Sequence, residues 1–234
     1  MPIQSIEPRR LYRQIADQIR TLVRSGEFPA GSRLPPERDL ARQLGVSRPS
    51  VREALIALEV EGLVEVRIGS GIYVLNGSRV GSGAGEIQAA SGPFELLRAR
   101  WMIEGECAAL AAKSAKKSHI AAIEEALELM QDEHRTGKQP LAGDRLFHLR
   151  IAEATANGAL VQVVRMLWEE RTGPLYKQLE HHYDSPELWE AALAEHRAVL
   201  KAIAAHDQAG ARAAMQRHLN QAHKRFSTGW DAIQ

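Results

Sequence analysis

All nine histidines lie beyond residue 118, and three of them interrupt apolar helical stripes. Asp144 and His148 are i,i+4 neighbours and share a helix face with Ile151, Ala152 and Thr155. His196 shares a face with Trp189, Leu193, Val199, Leu200 and Ile203, and His218 with Ala211, Ala214, Met215 and Ala222. A carboxylate and imidazoles turned toward a helical interior are costly unless something satisfies them. One Asp and three His suit a divalent cation such as Zn²⁺, Ni²⁺ or Mn²⁺, with open positions left for water or a ligand. Spacing alone leaves a second account open, in which these are hydrogen-bonded core histidines. The remaining histidines read as structural or solvated, and Cys107 as a small core residue beside Ile103, Leu110 and Ala111.

A second set of candidate residues sits near the amino terminus, in GSRLPPERDLARQLGVSRPSVREALIALEVEGLVEVRIGSGIYV. Pro35 and Pro36 precede a short helix from about Glu37 to Leu44. Gly45 supplies a tight turn, and Ser47 is a good N-cap for a second helix reaching about Glu61. Its apolar stripe is Val51, Ala54, Leu55 and Leu58, with Arg48, Pro49, Arg52 and Glu53 outside it. Two short helices joined in this way form a helix-turn-helix, whose second helix offers its first turn to the major groove of DNA. After Gly62, LVEVRIGSGIYV alternates and turns at Gly69-Ser70-Gly71, which reads as a hairpin wing beside Arg67. Taken singly, Arg48 and Arg52 would pass for solvated helix charges; the combination of turn, cap and wing favours DNA.

The elements that carry these residues fall into two parts. Leu11, Ile15, Ile19, Leu22 and Val23 mark a first helix closed by Gly26. Beyond NGSRVGSGAGEIQAASGP, the pattern predicts six helices over about 94–114, 118–136, 141–156, 159–182, 187–206 and 208–228. The expected architecture is mainly α: a winged helix-turn-helix over 1–75, a flexible linker over 76–93, and an all-helical bundle over 94–234.

Composition sets the outer limits. The 234 residues are 44% hydrophobic and 25% charged, with a net charge of +1, which suits a globular chain with a sizeable core. Residues 1–76 carry eleven arginines, no lysine and nine acids, so charge alone would not establish nucleic-acid binding. No apolar run approaches the roughly 18 residues of a spanning helix, and MPIQSIEPRR lacks the apolar core of a signal peptide. With a single cysteine, a cytoplasmic location and no membrane association are expected. No H-E-x-x-H, G-x-S-x-G or Walker motif supports catalysis.

The L-P-P-E-R-x-L-A, G-V-S-R, V-R-E-A-L and G-x-G-x-Y-V elements resemble the winged helix-turn-helix of GntR-type bacterial regulators. ELLRARWMIEGECAALAA, GDRLFHLRIAEATANGAL and EHRAVLKAIAAHDQAGARAAMQRHL resemble the FCD effector domain of the FadR-type branch. The resemblance covers nearly the whole chain. It implies that Arg38, Arg48 and Arg52 contact operator phosphates and bases, with Ser47 and Ser50 at the groove and Gly69 and Ser70 at the wing tip. Pro49 departs from the usual pattern beside Arg48. It also implies that Asp144, His148, His196 and His218 are the metal ligands, zinc before nickel or manganese. Arg100 matches a position facing the effector pocket, where a guanidinium would clamp a carboxylate, although a salt bridge to Glu104 competes. Asn157 matches the pattern too, and is otherwise a helix cap.

The expected function is therefore a homodimeric regulator of double-stranded operator DNA. A small organic acid, a sugar acid by further resemblance of DSPELWEAALAEHRAVLKAIAAHD, would bind over the metal and control operator affinity. The competing reading is an Asp/His3 metalloenzyme with a DNA-binding appendage.

Overall fold

The computed structural model describes residues 10–67, 69–76 and 91–228. Among them are ten helices and one two-stranded sheet. The chain divides into two compact units, residues 1–94 with 173–179 and 227–234, and residues 95–172 with 180–226. Most of the expected linker, 77–90, lies outside the described residues.

In the first unit, α1 (Leu11–Arg24) buries Tyr12, Ile15, Ala16 and Ile19, the stripe that a 3.6-residue repeat demands. It packs chiefly on α3 (Arg48–Val60). Between them, α2 (Glu37–Leu44) ends at Gly45, whose φ of +65° closes the helix in the left-handed region that a side chain resists. Ser47 caps α3 by accepting the Ser50 N–H at 3.3 Å, and Pro49 falls in the first turn, where a missing N–H costs nothing. The wing pairs β1 (Val64–Arg67) with β2 (Gly71–Val74) in antiparallel register, Val66 opposite Ile72. Residues 31–34 extend it, since the Leu34 N–H donates to the Ile72 carbonyl at 2.8 Å.

The stripe read for α3 is correct but incomplete. Val51, Ala54, Leu55 and Leu58 are fully buried, yet Arg52 is 1% and Glu53 only 9% exposed. Each has a partner distant in sequence: Glu37 takes Arg52, and Glu53 accepts the amide N–H of Phe94 at 2.8 Å.

The remaining helices are α4 (Pro93–Ser114), α5 (Lys117–Arg135), α6 (Leu141–Ala154), α7 (Gly158–Arg171), α8 (Pro174–Tyr183), α9 (Pro186–Ala204) and α10 (Gln208–Thr228); they chiefly build the second unit, except that α8 is divided between the two units at Leu179. The helix expected over 159–182 is two, α7 and α8. Pro174 lacks the N–H needed to continue the ladder, so the break falls at Thr172-Gly173. On α4 the buried face is Glu104, Cys107, Ala108 and Ala111, whereas Leu110 is exposed and Ile103 half-buried. The polar Glu104, not the apolar Leu110, turns inward, because charged partners await it there. Helices α5 and α6 pack closely on each other. Gly143 permits it: a Cβ there would lie 2.5 Å from the Met130 backbone N. That close approach seats the first turn of α6, which carries Asp144.

Candidate metal centre and DNA-facing helix

Asp144 and His148 on α6, His196 on α9 and His218 on α10 meet in the interior of the second unit. All four are buried, and one ligand atom from each lies within 4.8 Å of the others. His196 Nε2 is 3.0 Å from Asp144 Oδ1 and 3.3 Å from His148 Nε2, and His148 Nε2 is 3.5 Å from Asp144 Oδ1. A cation about 2.1 Å from each donor would separate neighbouring donors by about 3.0–3.4 Å, so these three atoms are spaced as ligands.

The outer faces of the imidazoles carry the stronger argument. His148 Nδ1 faces the Glu104 carboxylate, His196 Nδ1 lies 2.7 Å from the Ala192 carbonyl, and His218 Nδ1 lies 2.8 Å from Glu195. Acceptors at all three Nδ1 atoms place the protons there and leave the Nε2 lone pairs facing inward. Two such lone pairs 3.3 Å apart beside a carboxylate repel, and a divalent cation relieves them. The donor chemistry thus fits a metal of the zinc, nickel or manganese type. Asp144 is held at its other oxygen by Arg171 at 2.5 Å, and Arg171 also binds Glu180. Glu195 is braced in turn by Arg225 at 2.8 Å.

Protonation follows these contacts. Burial alone would raise Asp144, but the Arg171 charge, with the His148 and His196 rings beside it, holds it well below the usual carboxylate range. Burial also opposes ionisation of Glu104, yet Arg100 and His148 bring it down to about 2. His218 is lowered to about 3 by burial first and by the neighbouring His196 second, so its imidazole is neutral, as a ligand must be. His148 is raised, because Glu104 and Asp144 outweigh its burial.

Two expected pocket residues stand differently. Arg100 is neither surface-exposed nor unengaged: it is 2% exposed, donates to Glu104 at 2.6 Å and lies 4.2 Å from the Trp168 ring centroid. It therefore reaches the cluster through Glu104 and His148. Asn157 takes the helix-cap alternative: it is an exposed N-cap of α7, accepting the N–H groups of Ala159 and Leu160 at 3.0 and 3.4 Å. Glu195, Arg171, Arg225 and Trp168 were not anticipated. Glu195 has a faint signal, as it directly precedes His196; Trp168 and Arg171 come from α7 and Arg225 from the far end of α10, with no signal in the sequence.

At the first unit, Arg38 is 68% exposed in its side chain and Arg48 39% exposed. Ser47 and Ser50 bond to each other at 2.8 Å on the exposed first turn of α3. Gly69 and Ser70 form the turn of the wing, and Ser70 bonds to the Tyr73 hydroxyl at 3.0 Å. Arg52, expected at the DNA, is placed differently from Arg38 and Arg48. It is 1% exposed and donates from Nε and Nη2 to the two oxygens of Glu37, at 2.8 and 2.9 Å. Its guanidinium braces α3 against α2, because Glu37 is itself buried and requires a cation.

A winged helix-turn-helix joined in one chain to a helical unit has the architecture of a DNA-binding regulator. Residues 11–74 match the family model of bacterial regulatory proteins of the gntR family, and residues 95–221 match the FCD domain. The chain is 40% identical over 223 residues to the Uxu operon transcriptional regulator of Escherichia coli (strain K12), covering 93% of this chain and 87% of that protein. It is 40% identical over 223 residues to the Exu regulon transcriptional regulator of the same strain, covering 91% and 83%. In fold it resembles Streptococcus agalactiae GntR, with a TM-score of 0.50, 24% identity and coverage of 91% of this chain and 99% of that one. This chain is a transcriptional regulator of the GntR family with an FCD domain. The family is one of regulators, which removes the support for a metalloenzyme.

Proposed function

We propose that this regulator binds a short pseudo-palindromic operator as a homodimer, with Arg38, Arg48, Ser47, Ser50 and the Gly69-Ser70 wing turn facing the DNA. In the helical unit, Asp144, His148, His196 and His218 hold a divalent metal, zinc first among the candidates. A small carboxylate binds over that metal and changes operator affinity through the dimer arrangement. The effector is a sugar acid, a reading that the likeness to the Uxu and Exu regulators supports. The protein acts in the cytoplasm; among the described residues no helix is long and apolar enough to cross a membrane. The observation that carries the sensor is the inward Nε2 set, each imidazole backed at Nδ1 by its own acceptor.

Zinc, when bound, supplies a Lewis-acidic docking point for a carboxylate. The chain's own part is to orient the imidazoles through Glu104, the Ala192 carbonyl and Glu195, and to hold Asp144 through Arg171. Fluorescence anisotropy of the zinc-loaded protein on DNA from its own upstream region, with and without hexuronates, tests the reading. Operator affinity should change with hexuronate, and Arg48→Ala should weaken operator binding by about 1–3 kcal/mol. Joint replacement of His196 and His218 by Ala should abolish both bound zinc and the hexuronate response. Full zinc occupancy in that variant, or an operator affinity indifferent to every acid, would refute the proposal.

A further inference from the structure

Trp168 on α7 is 3% exposed, and its indole Nε1 is buried with no hydrogen-bond partner among the described residues. A buried donor left unmade is costly, and phenylalanine would supply the apolar ring without that cost. The ring lies at the edge of the ligand cluster, with its centroid 5.1 Å from that of His148. The guanidinium carbons of Arg100 and Arg171 lie 4.2 and 4.5 Å from the same ring centroid. One of these guanidiniums holds Asp144 and the other holds Glu104, the carboxylate facing His148. The indole is thus the common platform for both arms that orient the ligands, and it carries one unpartnered buried donor.

Charge narrows what could arrive there. Arg100 and Arg171 together face three carboxylates, Glu104, Asp144 and Glu180, so a divalent cation brings one more positive charge than this set cancels. An anion does so by placing its carboxylate on the cation. The indole N–H then needs a further oxygen, which a hydroxylated acid carries and a plain alkyl acid does not. We infer that Trp168 is a specificity-determining residue for the effector, its Nε1–H donating to a hydroxyl or ring oxygen of a polyhydroxy acid held at the Asp144, His148, His196 and His218 centre. This rests on the proposed metal and sugar-acid reading and deepens it.

The test uses the zinc-loaded full chain, calorimetric titration with D-galacturonate and D-glucuronate, and the variant Trp168→Phe, which keeps a ring beneath both guanidiniums. The variant should retain the wild-type zinc content and bind the preferred hexuronate about tenfold more weakly, the equivalent of one buried hydrogen bond. In the wild-type protein labelled with ¹⁵N at its indoles, the Trp168 N–H resonance should move downfield as hexuronate is added, a readout that survives if the variant folds poorly. Unchanged hexuronate affinity in Trp168→Phe, or an unmoved Trp168 resonance while wild type binds the acid, overturns the inference alone. Wild-type protein that holds zinc but binds neither hexuronate overturns the sugar-acid reading and this inference with it.

Discussion

Replacing Arg52 with Ala separates a structural arginine from a DNA-reading one. In the folded chain Arg52 makes a two-pronged contact with Glu37, at 2.8 and 2.9 Å, and both side chains are almost fully buried. Removing one partner of such a pair strands a buried charge, at a cost of about 3–5 kcal/mol. Here Glu37 keeps a second cation, because Arg48 Nε also donates to it at 3.1 Å, and Arg48 is partly solvated. The expected loss therefore falls at the lower end, about 3 kcal/mol. In a unit of roughly 60–100 residues each kcal/mol lowers Tm by about 4–8 °C, so the first unit should melt roughly 10–25 °C earlier. Scanning calorimetry of the full chain measures the shift. Pairing Arg52→Met with Glu37→Leu should recover most of it, since a well-packed apolar pair commonly replaces a buried ion pair at little cost. The reasoning fails if Arg52→Ala melts like wild type while operator affinity drops tenfold or more, for the guanidinium would then be acting on DNA.

Three other outcomes follow from the same structure. Gly143→Ala should destabilise the helical unit by about 1–3 kcal/mol through overpacking against the Met130 backbone, and should weaken zinc binding because Asp144 is the next residue; wild-type zinc affinity measured against a competing chelator would contradict this. The metal-free protein should lose stability in acid. The Glu104 pKa falls from about 4.5 to about 2 on folding, so its contribution is present above pH 4.5 and is lost as pH drops toward 2; urea midpoints taken from pH 5 to 3 should decline, less steeply in Glu104→Gln. Burial, with Glu104 and Glu106 nearby, pushes the Cys107 thiol up to about 12, so at pH 8 a thiol reagent should modify the protein only at the rate of unfolding; rapid stoichiometric modification of the native chain would show the thiol to be accessible.

How much of this was legible beforehand depended on whether the information was local. The bounds of α2 and α3, the Ser47 cap, the Gly45 turn and the hairpin are written in short-range chemistry: prolines before a helix, a hydroxyl able to reach the N–H three residues on, a glycine able to take φ of +65°. Helical spacing likewise placed Asp144 beside His148 and set His196 and His218 on inward faces, because the apolar neighbours on those faces must be buried. The Pro174 break is equally local, but the helical pattern runs on across it.

Partnership was not legible. Arg52 and Arg48 look alike in sequence, four residues apart on one helix. The fold buries the first against Glu37, fifteen residues away, and leaves the second partly in solvent. Glu104 looked like an ordinary i,i+4 partner for Arg100, yet it faces the Nδ1 of a histidine from another helix. Arg171 reaches Asp144 across 27 residues, and Arg225 reaches Glu195 across 30. A sequence lays down periodicity, caps and turns because those depend on neighbours a few residues apart. Which buried charge meets which counter-charge depends on how helices cross, and that is settled only when the chain has packed.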